Sequence, residues 1–269
     1  MNSNQSKTIL VTGASTGLGR QIATSLAREG YNVYGTSRRQ RPDANGVKMR
    51  VLDITQPESI EECVREIVAE AGNIDILINN AGEVLGGMLE ETAIETAEVH
   101  FQTNFFGAVR MTHAALAHMR PRRQGKIIFL SSLAGLVATP GQGFYSAAKH
   151  ALEGYAASLS VELAQFNVHV SLVEPSFFKT DIVATASHAP DYPAADYNGI
   201  RERARQVHLD GVEHGENPQK VADMVLQVVK AAKPKLRYRV GRDAKIIPSL
   251  IKLMPERLFM NGLRRRFAM

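Results

Sequence analysis

The sequence has no tryptophan and a single cysteine, Cys63. A lone thiol cannot close an internal disulfide, and it offers no cysteine cluster for zinc or iron–sulfur ligation. The eight histidines are scattered, with no Cys/His/Asp grouping at ligand spacing, so no metal is expected. His113, His118, His188, His208 and His214 are read as surface residues of helices or loops. No stretch reaches the ~18 uncharged apolar residues of a membrane span. The segment from Met1 to Lys7 is polar and carries no apolar secretion signal. These absences lead to the expectation of a soluble protein in the reducing cytoplasm.

What is present is an ordinary globular composition, with 44% hydrophobic and 22% charged residues over 269 positions. The net charge of +5 is unevenly placed. Residues 230–269 hold twelve Lys/Arg against two Asp/Glu, so the rest of the chain is mildly acidic. Nucleic-acid binding by the whole fold is therefore disfavoured. The basic tail alone lacks interleaved aromatics, having only Tyr238, Phe259 and Phe267. No nucleic-acid partner is expected.

Short apolar runs alternate with helical periodicity. Strands are expected at Thr8–Thr12, Asn32–Thr36, Lys48–Leu52, Ile74–Ile78, Lys126–Leu130, Val168–Val173 and Arg237–Val240. Helices are expected at Leu18–Arg28, Pro57–Ala71, within Glu91–Met119, at Tyr145–Gln165 and at Pro218–Ala232. The strands are continuous rather than alternating apolar runs, as when both faces are covered. This predicts an α/β fold with one doubly wound, Rossmann-type parallel sheet and helices on both faces. Residues 1–243 are read as one catalytic domain. An irregular substrate lid is placed at 181–216, and residues 244–269 form a basic amphipathic C-terminal extension.

Between the first strand and first helix lies Thr12-Gly13-Ala14-Ser15-Thr16-Gly17-Leu18-Gly19. Gly13 allows a tight turn, Gly17 a close backbone approach to a pyrophosphate, and Gly19 the packing of helix on strand. The helix N-terminus then offers free N–H groups and partial positive charge. The spacing is G-x-x-x-G-x-G. With Asn79-Asn80-Ala81-Gly82, Asn104, Ser131-Ser132, Tyr145-x-x-x-Lys149 and Glu174-Pro175 following in order, the chain resembles the short-chain dehydrogenase/reductase family. The likeness runs from Thr8 to about Thr180. Asn167–Thr180 and Lys235–Gly241 look similar to retinol- and 17β-hydroxysteroid-dehydrogenase-like members.

The second strand ends in Thr36-Ser37-Arg38-Arg39. An acidic residue there would bond the ribose 2′-hydroxyl of NAD. Ser37 stands in that place, and the Arg38 guanidinium suits a 2′-phosphate. NADP(H) is therefore favoured over NAD(H), with a solvated turn as the plainer reading of Arg38 and Arg39. Asp53 and Ile54 resemble the family's adenine contact, although Asp53 also suits a helix cap. Asn80, Ala81 and Gly82 would line the ribose, and Asn79 is read as structural.

Tyr145 and Lys149 lie four apart on one helix face. A neighbouring ammonium favours the phenolate and is expected to lower the Tyr145 pKa, making it a general acid/base. By family spacing Ser132 is the substrate-polarising serine, while Ser131 would bond backbone at the strand end. The resemblance implies that Asn104 holds a relay water for Lys149. It also implies that Pro175, Ser176, Phe178 and Thr180 hold the nicotinamide. Ser176 replaces the usual glycine and would be strained if that position needed positive φ. Val84, Leu133, Ala134, Phe144, Phe177 and Phe178 are candidate pocket residues and suggest a small hydrophobic carbonyl or alcohol substrate. The competing reading is a catalytically silent dinucleotide-binding regulator.

Two functions suit Ala244–Met269. One is a helix covering the substrate pocket, favoured because Pro248 and Pro255 interrupt a continuous interfacial helix. The other is peripheral contact with an anionic membrane. The family resemblance also implies a homodimer or homotetramer paired through the long helices.

Overall fold

A computed structural model describes residues 7–180 and 190–267. Seven parallel strands are Thr8–Val11 (β1), Asn32–Ser37 (β2), Val47–Val51 (β3), Ile76–Asn79 (β4), Gly125–Leu130 (β5), Val168–Pro175 (β6) and Arg237–Val240 (β7). They lie in the order β3-β2-β1-β4-β5-β6-β7. The order reverses between β1 and β4, and the crevice outside the carboxyl ends of the strands there is where such sheets take ligands. Every strand expected from the apolar runs is present within a residue or two, and the doubly wound fold is confirmed.

Helices cover both faces because both faces are apolar. On one side Gly17–Arg28 (α1) and Gln219–Lys230 (α7) bury Ile22, Leu26, Val221 and Val225 against Ile9, Val11 and Ile128. On the other, Pro57–Ala71 (α2), Gly107–Met119 (α4) and Gly143–Glu162 (α5) bury Ile67, Met111 and Leu152 against Leu10, Leu77 and Phe129. The helix expected within Glu91–Met119 is divided. Ile94–Phe101 (α3) leads into a π-helical turn, Gln102–Phe106, and then into α4. Such turns break the i→i−4 ladder and recur at functional sites. Asn104 sits inside this one.

Two sequence expectations need correction. Residues 181–216 are not irregular throughout: Asn198–Glu213 is a helix (α6), while residues 181–189 and His188 fall outside the described residues. Ala204 and Val207 on its inner stripe give it something to bury, and the loop glycines and prolines obscured that period in the sequence. His208 is not a surface residue but buried on the same stripe. The tail forms Arg242–Leu253 (α8) and Glu256–Phe267 (α9). Pro248 lies inside α8 without ending it, and Pro255 separates the two.

Candidate active site

The glycine turn is shaped by its neighbours. Gly13 has φ +67°, and a Cβ there would stand 2.9 Å from the Ala81 Cα. At Gly19 a Cβ would collide with the Gly13 carbonyl and the Asn80 amide. The turn is tied to β4 by side chains. Thr12 Oγ1 accepts from the backbone N–H groups of Asn80 and Ala81, both at 3.0 Å. Asn80 Nδ2 donates to the carbonyls of Thr12 at 2.9 Å and Gly13 at 3.1 Å. Asn80 therefore serves the site as a brace for the turn, a role beyond lining it.

Thr16 precedes α1 without a side-chain cap, and the first turn of α1, with Leu18 in it, carries no acidic residue. Its first N–H groups and dipole are left for an anion. A glycine-walled cradle ending in uncapped helix donors fits a dinucleotide pyrophosphate, with Ser15, Thr16 and Gly17 at its lip.

The far end of the cradle is polar. Ser37 Oγ accepts from Arg39 N–H at 3.3 Å, and Arg38 and Arg39 are exposed. No acidic residue follows Ser37. Asp53 Oδ1 accepts from Thr55 N–H and Oγ1, at 2.9 and 2.7 Å. Burial pushes the Asp53 carboxyl up, but these bonds and the Arg38 charge outweigh it and leave the pKa below the ordinary value. Asp53 thus closes its own turn rather than capping α2, whose N-cap is Gln56. Ile54 is buried beneath Gly107.

Ser132 follows β5, and its Oγ accepts from Ala134 N–H at 3.1 Å in the short turn Leu133–Gly135. Tyr145 and Lys149, one turn apart on α5, are both buried. The Ser132 hydroxyl lies close enough to Tyr145 to favour its ionised form, and Lys149 Nζ donates to the Leu130 carbonyl at 2.8 Å. The ammonium lies 5.8 Å from the Tyr145 ring centroid. The expectation of a lowered Tyr145 pKa changes here. Burial raises the Tyr145 pKa above its ordinary value, and the Ser132 hydroxyl only partly opposes this. The same dehydration lowers Lys149 to about 8, against the pull of Glu153. Ser131 donates its backbone N–H to Val173 O at 2.9 Å, but its hydroxyl is buried without a partner among the described residues.

Both ends of the Asn104 amide are engaged. Oδ1 accepts from Glu83 N–H at 3.2 Å, and Nδ2 reaches His100 Nδ1 at 3.1 Å and His100 O at 3.2 Å. His100 went unnoticed in the sequence. It is buried, its ring centroid is 6.1 Å from that of Tyr145, and Glu83 Oε1 is 3.9 Å from its Nδ1. The available signal was its position four residues before Asn104, one helical turn away. Val84 lines a cavity of about 380 Å³ with His100, Glu83 and Glu95.

After β6, Ser176 N–H donates to Val240 O at 3.0 Å. Ser176 is absent from the residues with positive φ, so serine replaces glycine there without backbone strain. Phe178 is a core residue, packed with Leu130 and Val221, which leaves only its backbone for a ligand. Phe177 packs under α6 against Gly211 and His208. Thr180 and Phe144 are half-buried, as are Leu133 and Ala134.

A doubly wound parallel sheet with a glycine cradle at its switch point, and a serine, tyrosine and lysine gathered at the ends of β5 and α5, defines a nucleotide-dependent oxidoreductase. Residues 7–191 match the short chain dehydrogenase family model, and the chain belongs to that family. It is 36% identical to 3-ketodihydrosphingosine reductase of Bacteroides thetaiotaomicron, over 98% of this chain and 99% of that one. It is also 36% identical to retinol dehydrogenase 8 of Bos taurus, over 87% and 81%. Its structure superposes on a variant of actinorhodin polyketide ketoreductase with NADPH at a TM-score of 0.76 and 27% identity, covering 91% and 100%. The family's fold binds nicotinamide dinucleotides.

Proposed function

We propose that this protein is an NADP(H)-dependent oxidoreductase that transfers hydride between the nicotinamide and a carbonyl or secondary alcohol of a hydrophobic substrate. The observation that carries the reading is the grouping of buried Tyr145 and Lys149 with half-buried Ser132 at the carboxyl edge of the sheet, beside the glycine cradle. The preference for NADP(H) rests on Ser37 standing where an acid would select NAD, with Arg38 and Arg39 free to meet a 2′-phosphate.

Gly13, Ser15, Thr16, Gly17, Leu18 and Gly19 would hold the pyrophosphate, and Asp53 and Ile54 the adenine. Asn80, Ala81 and Gly82 would wall the ribose, with Pro175, Ser176, Phe178 and Thr180 at the nicotinamide. When bound, the dinucleotide supplies or receives the hydride. Ser132 and Tyr145 polarise the substrate oxygen, and Tyr145 gives or takes its proton. Lys149, anchored on Leu130 O, stabilises the resulting phenolate. The raised Tyr145 pKa keeps the phenol protonated as a donor, which suits carbonyl reduction at neutral pH. Asn104 braces the π-helical turn through Glu83 N–H and His100, and the second lone pair of its Oδ1 is left to hold the water that would relay protons to Lys149.

Leu133, Ala134, Phe144 and Phe177 give the substrate side an apolar character. The two named relatives, one for a ketone and one for an alcohol of lipid type, point the same way. Exposed Val99, Phe106 and Val161 on α3, the π-helical turn and α5 favour pairing of subunits through these helices. The single buried cysteine suits a reducing cytoplasm. Among the described residues no helix is long and apolar enough to cross a membrane, so any membrane contact through the basic tail is peripheral.

Turnover of NADPH with carbonyl compounds by the wild type and Tyr145→Phe tests the reading. The expected result is a loss of at least ~100-fold in the variant with NADPH binding retained. Full activity in Tyr145→Phe refutes the mechanism. NADPH binding without turnover in the wild type favours the silent regulator. Ser37→Asp is expected to move preference toward NAD(H) by ~10-fold or more, read as the ratio of kcat/KM values.

A further inference from the structure

We propose that the outer face of α8 and α9 docks on an anionic lipid surface and so holds the substrate side of the enzyme at the bilayer. The second half of this statement rests on the hydrophobic-substrate reading above, and the first half does not.

The two helices have opposed faces. Ala244 and Pro248 of α8 are buried against the body, with Ile251 half-buried one turn on. On the opposite side Ile246, Leu250 and Leu253 recur at intervals of four and three, which places them on one face. Leu250 is 48% exposed and Leu253 86%. Met254, Leu258 and Met260 continue the exposed apolar series across Pro255 into α9. Six large aliphatic or thioether side chains are thus held in water within residues 246–260, and a patch of this kind marks an interaction site.

Charge identifies the partner. Lys245, Lys252, Arg257, Arg264, Arg265 and Arg266 are all exposed around this series. From Arg242 to Phe267 there are seven basic residues and two acidic ones, Asp243 and Glu256. An apolar stripe rimmed by Lys and Arg is complementary to acyl chains beneath anionic headgroups. A second copy docked by the same face would set like charges against like. Protein docking surfaces concentrate their energy in Trp, Tyr and Arg anchors. Here the exposed apolar groups are Ile, Leu and Met alone. The prolines are no obstacle, since they divide the interfacial element into two helices rather than abolish it.

The same helices reach the substrate side. Phe267, on the inner side of α9, is buried with Met88, Ala204 and Val207. Its ring centroid lies 5.8 Å from that of His208, which lies 6.3 Å from that of Phe177. At the start of α8, Arg242 N–H donates to Glu216 Oε1 at 2.8 Å. The lipid-facing series is therefore the outer side of an element whose inner side packs on the substrate lid. Covering the pocket and touching a membrane are functions of two faces of the same helices.

Full-length protein is sedimented with phosphatidylcholine vesicles, with and without phosphatidylserine, at low and high salt. Two variants accompany it: Leu250→Ser with Leu253→Ser, and Arg264→Gln with Arg265→Gln and Arg266→Gln. All five positions are exposed and outside the catalytic cluster. The expected result is binding to serine-lipid vesicles only, weakened at least ~10-fold by high salt and by either variant. NADPH turnover of a water-soluble ketone stays unchanged in the variants, while turnover of a long-chain alkyl ketone dissolved in the same vesicles falls.

Wild type that remains in the supernatant overturns the proposal, as does equal binding to neutral vesicles or binding insensitive to both variants. Concentration-dependent dimerisation lost in the leucine variant, without vesicle binding, also overturns it and assigns the face to a second copy. Vesicle binding as expected with no turnover of any ketone supports the docking surface and refutes the oxidoreductase reading instead.

Discussion

His100 and Glu174 are buried ionisable residues, and they make opposite demands on pH. The Asn104 amide donates to His100 Nδ1, so that nitrogen must be bare. Burial, with help from the Lys149 charge, lowers the His100 pKa to about 4 and keeps the ring neutral. Between about 4 and the ordinary 6.5 the unfolded chain binds the proton and the folded chain does not, so stability rises with pH in this window. Glu174 is raised to about 7, first by burial and then by the Glu153 charge, which outweigh Arg239 and Arg237. Here the folded state holds the extra proton between 4.5 and about 7, so stability falls as pH rises. Each effect is worth up to about 3 kcal/mol across its window. Relative to wild type, His100→Gln is therefore expected to lose stability as pH rises from 4 to 6.5. Glu174→Gln is expected to gain stability from 4.5 to 7. Urea midpoints measured across pH check both slopes, and parallel curves for wild type and variants would refute the assignments. Gln keeps an acceptor for the Asn104 amide, whereas His100→Leu does not. Only the leucine variant should weaken NADPH binding, by ~10-fold, as the brace on Glu83 loosens.

At the scale of elements, the strands were legible because parallel strands buried on both faces are continuous apolar runs. The glycine cradle was legible because backbone geometry there tolerates no side chain. The π-helical turn was not, since no residue type encodes it and its stabilising pair, His100 and Asn104, reads as an ordinary helical repeat. Nor was α6, whose inner stripe is short and lies among glycines and prolines. Lys126 shows the same limit on β5. In sequence it is a charge opening an apolar strand, yet its Nζ donates to the carbonyls of Val229 at 2.6 Å and Ala231 at 2.5 Å. The lysine thereby caps the C-terminus of α7 from across the sheet edge, satisfying acceptors that the helix leaves open. Lys126→Met keeps the aliphatic stem and removes the donor. It should cost about 2–3 kcal/mol in urea unfolding, because charged hydrogen bonds of this kind carry that weight. A loss under 0.5 kcal/mol, the range of ordinary surface substitutions, would show that water replaces the cap.

At the scale of the molecule, the apolar residues divide into two large layers on the faces of the sheet and a small third cluster of Met88, Ala204, Val207 and Phe267. The third cluster is the seam between α6, which falls in the proposed lid segment, and the C-terminal helix α9, and it shares no residue with the layers that hold the sheet. A ligand-gating element is drawn from the low-stability end of a fold, opening without global unfolding. Phe267→Ala removes the largest side chain in that seam, a truncation that costs about 3–5 kcal/mol where a core cannot collapse around the hole. If the seam is a separate cooperative unit, that cost exceeds its own stability and falls on α6 and α9 alone. Amide exchange should then accelerate throughout Asn198–Glu213 while the amides of β1, β4 and β5 stay as protected as in wild type. The global urea midpoint should hold. KM for the carbonyl substrate should rise with little change in NADPH affinity, since the cradle lies at the other end of the same sheet edge. A uniform loss of protection across α6 and the central strands would instead make lid and sheet one unit, with substrate entry requiring no independent opening of the C-terminal helices.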